Sequence, residues 1–308
     1  MEQPPHTQWK GTTDGTPWMQ RTLVRAMAWL PLPLVYCFMA GLVVPFYMLF
    51  NRQGYLSQYQ FFRRRFGHSP LRAFADVYAN HYRFGQVILD RFAFYGGKRF
   101  HLITEGNERF MALTREPGGF MQVGRHVGNF ELAGYMLTQD RKTINALVFG
   151  GETGTVMENR VRVFENQNLR LILTDGSMDH VFEMNRALAD GEIVSMHGDR
   201  VFGSQKTFRC QVLGAEAQLP MGPFILAASR DVPMLCTFVM KESLKTYHVY
   251  VKPISDSPRD GNEDGSAMGP RPVRVRAAAL AQAFANCLTD IVRQYPHQWF
   301  NYYNFWNE

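Results

Sequence analysis

The sequence predicts an α/β fold: a largely parallel central sheet flanked by helices, with an N-terminal membrane-associated helical extension. Three observations predict it. From residue 119 onward, short apolar runs alternate with stretches of helical period, the pattern of βαβ units. The 308 residues are enough for one large core, and no linker divides the middle of the chain. Residues 26–50 carry no charged side chain, and that reaches the roughly 20 residues a bilayer-crossing helix needs. We therefore divide the chain into residues 1–66, a tail and anchoring helical segment, and residues 67–308, the main domain.

The elements follow in order. "WMQRTLVRAMAW" reads as a helix capped near Thr16, with Pro17 at its first position. The uncharged segment holds Pro31, Pro33 and Pro45, so three forms stay open for it: one kinked span, a helix or hairpin lying in one leaflet, or a buried core helix. Arginines flank both of its ends, and the positive-inside rule does not orient it. Residues 69–93 look helical from Ser69 and Pro70 onward. "RFHLITEGNERFMAL", residues 99–113, alternates around Glu-Gly-Asn and reads as a β-hairpin. Strands are then expected at "GFMQVG", "TINALVFG", "LRLILT" and "EIVSMH", with helices at 129–138, 155–167 and 179–189 between them. "FRCQVLG" leads to a helix over 220–230, strands over 232–240 and 246–253, and a long helix over 273–294. Residues 255–272 form a polar loop rich in turn residues.

Charge and cysteine content narrow the function. The net charge of +6 suits anionic surfaces, including membranes, acidic carrier proteins and nucleic acid. Cys37, Cys210, Cys236 and Cys287 form no Cys-x-x-Cys pair, which argues against a zinc ribbon or redox motif and fits a reducing compartment. There is no Gly-x-Ser-x-Gly elbow and no His-Glu-x-x-His, and "GGETGTVMEN" lacks the Lys-Ser/Thr of a P-loop.

The chemistry concentrates in "VGRHVGNFEL", residues 123–132. His126 falls in a βα loop at the carboxyl end of a strand, where open α/β sheets place ligands. Asn129 reads as the N-cap of the next helix, with Glu131 in its first turn. His126 and Glu131 meet only if Val-Gly-Asn breaks the helix between them, and Gly124 and Gly128 permit such a turn. A carboxylate on one ring nitrogen fixes the imidazole tautomer and leaves the other nitrogen to take a proton. A histidine merely hydrogen-bonded near a helix start remains the plain alternative.

"HVGNFE" resembles the H-x4-D/E motif of glycerolipid-type acyltransferases. In its His-x-Gly-Asn-aromatic-Glu form it is similar to the late acyltransferases of lipid A biosynthesis, the lauroyl/myristoyl acyltransferase family. Further matches are the Asp199-Arg200 pair in "SMHGDRVFG", the Pro220-x-Gly222-Pro stretch opening a helix, and the aromatic "YPHQWFNYYNFW" near the C-terminus. The resemblance covers roughly residues 20–305. It implies His126 as general base and Glu131 as its orienting carboxylate. It also implies substrate binding by Arg125, Gly128, Asn129, Asp199, Arg200, Pro220 and Gly222, with Asp199 orienting Arg200.

The resemblance further implies transfer of a fatty or polyene acyl chain to a hydroxyl or amine of a lipid or glycolipid. The acyl donor would be a thioester of acyl carrier protein or coenzyme A, with no metal or other cofactor and no nucleic acid partner. The acceptor stays open among lipid A, aryl polyene and aminoacyl lipids, because "WKGTTDGTPWMQ" departs from the usual lipid A enzymes. The implied location is the bacterial inner membrane, with the catalytic domain facing the cytoplasm. Arg63–Arg65 and the Arg271–Arg276 region could dock an acidic carrier protein. A thioesterase using activated water and a non-catalytic lipid-binding protein are the competing readings.

Overall fold

In the computed structural model, placement is described for residues 17–129, 132, 141–149, 168–174, 178–201, 206–255 and 272–306. Helix α1 (Pro17–Trp29) ends before Pro31, whose extended backbone starts α2 (Leu32–Phe50). Pro45 does not break α2. A proline collides with the carbonyl four residues back, here Gly41, and the turn Met39–Val43 is π-helical, which relieves that contact. One stripe of α2, with Tyr36, Met39 and Val44, packs on Met27, Phe92 and Ala93. Leu34, Phe38, Leu42, Phe46, Leu49 and Phe50 face outward and are exposed. So much outward apolar surface removes the buried-core-helix reading.

Helix α3 (Arg52–Arg65) starts where the Asn51 side chain accepts from the Gly54 N–H, and its Phe61 and Phe62 join the core of the main domain. Helix α4 (Pro70–Tyr95) is capped by Ser69 with Pro70 at its first position, as expected. The expected hairpin at 99–113 is instead strand β1 (His101–Glu105) and helix α5 (Asn107–Arg115). Gly106, at φ 75, makes the turn, and Phe110 and Leu113 bury one helical face that the alternation had disguised.

The strands β2 (Phe120–Gly124), β3 (Ile144–Phe149), β4 (Leu169–Thr174) and β5 (Ile193–His197) follow, with α6 (Asp179–Ala189) before β5. Next come β6 (Thr207–Val212), β7 (Ala215–Pro220), α7 (Gly222–Arg230), β8 (Met234–Lys241), β9 (Thr246–Ser255) and α8 (Val273–Gln294). Strand β7 was not expected. It pairs antiparallel with β6 as a separate two-stranded sheet, and the positive φ of Leu213 and Gly214 makes the hairpin turn. The expected helix at 155–167, and all but Asn129 and Leu132 of the one at 129–138, lie outside the described residues.

Seven strands hydrogen-bond in the order β1-β9-β8-β2-β5-β3-β4, parallel everywhere except between β8 and β9. All eight residues of β8 are buried, as expected for a strand covered on both faces. Alternate residues serve two cores. Met121, Val123, Cys236 and Phe238 pack with Phe224, Phe284 and Leu288 on one face. Phe120, Ile193, Leu235 and Val239 pack with Phe110 and Leu113 on the other. After β2 the chain moves toward β3, and after β5 it returns across β2 to β8. The carboxyl ends of β2 and β5 thus lie at a topological switch point, where such sheets form a crevice.

Candidate active site

Gly124 ends β2 opposite His197, which ends β5. A side chain on Gly124 would come within 3.2 Å of the His197 ring, so glycine lets the two strand ends close up. The next residues form a pinned loop. Val127 bridges to Trp299 and Gly128 bridges to Val239. The Gly128 N–H donates to the Gln298 carbonyl at 2.9 Å, the Asn129 N–H to the Val239 carbonyl at 2.7 Å, and the Phe300 N–H to the His126 carbonyl at 3.1 Å. Gly128 has φ 65, and a Cβ there would lie 2.2 Å from the Val239 oxygen, so only glycine fits.

The His126 ring has its partner on the neighbouring strand end. Nδ1 lies 3.0 Å from Asp199 Oδ1, and the His126 backbone N–H donates to Asp199 Oδ2 at 2.7 Å. Asp199 thereby fixes both the ring and the backbone that carries it. The His197 ring stacks on His126 at 4.7 Å between centroids, and the Tyr303 hydroxyl donates to the Asp199 carbonyl at 3.3 Å. The Asp199 carboxylate is fully buried, whereas His126 keeps 14% of its side chain exposed.

The electrostatics separate the two groups. Burial pushes the imidazole below its ordinary range and the Arg200 charge adds to that, while Asp199 pulls the other way. At neutral pH the ring is then neutral. Burial alone would raise Asp199, yet His126, Arg200 and His197 together hold its carboxyl far below the usual range. An ionised carboxylate accepting from Nδ1–H leaves Nε2 as the basic nitrogen.

Ligand atoms of His126, His197 and Asp199 lie within 4.8 Å of one another, a spacing that invites comparison with a metal site. The geometry opposes it. Imidazole lone pairs lie in the ring plane, and two rings stacked at 29° direct them side by side, not toward one ion.

The other expected site residues divide. Arg200 follows Asp199 and is close enough to act on both His126 and Asp199 through charge. The sequence reading gave Asp199 the task of orienting Arg200, but its carboxylate turns to His126. Glu131 lies outside the described residues. Arg125 was expected to contact substrate, yet it is 1% exposed, donates to the Thr237 carbonyl and Cys236 sulfur, and stacks on Phe238. It points into the core because side chains alternate across the strand end, which places its neighbour His126 on the other side. Asn129 is also buried. Its Nδ2 donates to the Tyr247 hydroxyl at 3.2 Å, and its Oδ1 accepts from the Leu132 N–H at 3.4 Å, an N-cap contact. Pro220 ends β7 opposite Thr207, and Gly222 opens α7. No described contact joins either of them to His126.

His197 and Tyr303 went unnamed in the sequence reading. His197 was within reach of it, as the last residue of a strand two positions before Asp199. The aromatic C-terminus also gains a backbone role beyond packing. The Gln298 carboxamide pairs with both backbone groups of Lys241, and Asn80 Nδ2 donates to the carbonyls of His297 and Trp299. These bonds hold the strap that holds the His126 loop.

Comparison with known proteins bears on what this loop does. Residues 93–307 match the model of the bacterial lipid A biosynthesis acyltransferase family. The chain belongs to that family. The match spans β2, β5, the His126 loop and the C-terminal strap. The protein is therefore an acyltransferase of lipid biosynthesis, as the H-x4-E resemblance implied. Among solved structures, the chain is similar to the 1-acyl-sn-glycerophosphate (LPA) acyltransferase PlsC from Thermotoga maritima. That match has 12% identity and a TM-score of 0.39, and covers 91% of this chain and 99% of the other. No curated protein sequence matches the chain.

Proposed function

We propose that this family member moves an acyl chain from a thioester of acyl carrier protein or coenzyme A to a hydroxyl or amine of a membrane lipid, with His126 as the general base. The contact that supports this role is His126 Nδ1 to Asp199, at the mouth of the sheet crevice. Nε2 takes the proton of the acceptor hydroxyl or amine as its oxygen or nitrogen attacks the thioester carbonyl carbon. The tetrahedral intermediate then collapses, the C–S bond breaks, and the imidazolium returns its proton to the departing thiolate. An ester or amide and a free thiol result, with no covalent enzyme intermediate. Arg200 is proposed to stabilise negative charge on the reacting carbonyl oxygen or on an anionic substrate group. Glu131 is proposed as the second carboxylate of the catalytic pattern.

Membrane association belongs to the same reading. Helix α2 is long and apolar enough to cross a bilayer, and Trp18 and Trp29 on α1 are largely exposed beside it. We place the catalytic domain on the cytoplasmic side of a bacterial inner membrane, where acyl thioesters are available. Product analysis of the purified protein with an acyl thioester, with and without added lipid acceptor, tests the proposal. Acyl-lipid formed only with acceptor supports it. Free fatty acid released at the same rate in both mixtures contradicts it.

A further inference from the structure

Helix α2 lies along α4 for nearly its whole length. Tyr36, near its start, donates to Asp90 and packs edge-on against Tyr82 at 6.5 Å between centroids. One turn on, Met39 fills the space beside Gly85, where a Cβ would collide with its sulfur. The Tyr78 hydroxyl donates to the Ala40 carbonyl at 2.8 Å, and Met48, near the end of α2, packs on the main-domain core. Helix α1 is fastened to the same domain. Gly96 lies close against Val24 and Ala28, and Lys98 Nζ donates to the Ala28 carbonyl at 3.3 Å. The opposite side of α4 holds the C-terminal strap through Asn80.

These contacts decide how the apolar segment meets a membrane. To cross a bilayer, α2 would have to draw Asp90 and its partner Lys241 into the hydrocarbon, or shed its packing on α4 altogether. Lying flat, it keeps every contact and turns its exposed row, from Leu34 to Phe50, toward lipid. Leu71 and Phe74, 84% and 52% exposed, continue this surface. They share the α4 face of Tyr78, which α2 covers further along. Trp18 and Trp29 stand out from α1 beside it, as anchors at a headgroup boundary do.

Charge points to the same arrangement. Residues 17–75 hold seven arginines and no aspartate, glutamate or lysine. Arg21 and Arg25 precede α2, Arg52 and Arg63 follow it, and all four are exposed. A spanning helix concentrates basic residues at its cytoplasmic end, whereas here both ends carry them and both are complementary to one anionic surface. We propose that α1, α2 and the first turn of α4 form one surface that sinks into a single leaflet of an anionic membrane. Both ends of α2 then stay on the side of the catalytic domain. The proposal rests on the membrane-association reading above and adds to it the mode of attachment and the charge of the lipid.

Tags on the two ends of the full-length chain test the mode of attachment. Protease added to sealed, inverted inner-membrane vesicles should remove both tags, and protease added to spheroplasts should remove neither. Loss of the N-terminal tag alone from spheroplasts would make α2 a span and overturn the proposal. Flotation of the purified, detergent-free protein reads the lipid charge, with vesicles of phosphatidylcholine alone or mixed with phosphatidylglycerol. Binding should be about tenfold tighter on the mixed vesicles, and Arg21→Gln/Arg25→Gln/Arg52→Gln should remove most of that difference. Should this variant melt early, high salt applied to the parent protein replaces it and should erase the preference. Equal binding of the parent to both vesicles, or a preference that survives salt, contradicts the charge assignment. A protein that stays off both vesicles and elutes as a dimer would give this face to a second copy and overturn the proposal. Acyl transfer by a protein that floats with neither vesicle would sink the surface and leave the transfer reading standing. Flotation with both tags on one side, in a protein that transfers no acyl group, would do the reverse.

Discussion

Two buried aspartates, about equally sealed, do opposite things. Asp90 and Lys241 form an ion pair at 2.5 Å with both side chains wholly buried, and the hydroxyls of Tyr36 and Tyr247 also donate to Asp90. Lys241 is further surrounded by the rings of Tyr36, Phe100 and Tyr247. Burial pushes the Asp90 carboxyl up and the Lys241 ammonium down, each opposed by its partner. Asp199, just as buried, is held far below its usual range by His126, Arg200 and His197. The difference lies in the partner. Lys241 is sealed, so its pair ties α2, α4, β8 and β9 together and Asn129 through Tyr247. His126 is partly open, so its pair can exchange a proton. Similar burial therefore gives a rivet in one place and a base in the other.

The comparison can be broken most severely at the base. His126→Ala should lower kcat by about 10²–10⁴-fold with a melting temperature close to the parent, measured by acyl-lipid formation. A protein that keeps parental turnover would remove His126 from the chemistry. Asp90→Asn should do the reverse, costing about 3–5 kcal/mol of stability in denaturant titrations by stranding a buried lysine. Its rate per folded molecule should stay within a few-fold of the parent. Replacing both partners with apolar residues, Asp90→Leu/Lys241→Met, should cost clearly less than Asp90→Asn alone. A double loss as large as the sum would show that specific charge, beyond packing, holds this region.

The smallest effect expected is on pH dependence. A histidine whose folded pKa lies below 6.5 stays neutral until the pH falls beneath that value. The acid limb of kcat/KM should accordingly lie below pH 6.5, with activity present above it and lost as the pH falls through it. Arg200→Met removes a charge that lowers the imidazole pKa, so the limb should move upward. A limb that stays in place would mean another group titrates.

Much of this fold was legible in the sequence because single segments carried their own signals. Leu169–Thr174, Asp179–Ala189 and Val273–Gln294 fall where apolar period and flanking turns placed them. The stretch at 99–113 was misread because Glu-Gly-Asn signals a hairpin turn as readily as a strand-to-helix turn. Only the packing of Phe110 and Leu113 on the sheet decides between them. Strand β7 was hidden because "AEAQLP" carries few apolar residues on its outer face.

The site shows the same limit. The motif at His126 announced a base, but its observed carboxylate lies 73 residues away on another strand end. Spacing along the chain cannot reveal that, because the parallel register of β2 and β5 creates it. Arg125 was expected to bind substrate from the family resemblance, and the alternation of side chains sends it the other way, against Phe238.

The claim that His126 and Asp199 work as one unit is tested most directly by a double-mutant cycle on kcat, comparing His126→Ala, Asp199→Asn and the double variant in acyl transfer to a lipid acceptor. If the carboxylate acts only through the ring, Asp199→Asn alone should cost about 10²–10⁴-fold, and the double variant no more than His126→Ala by itself. Losses that multiply in the double variant would contradict the account and give Asp199 a task independent of the imidazole.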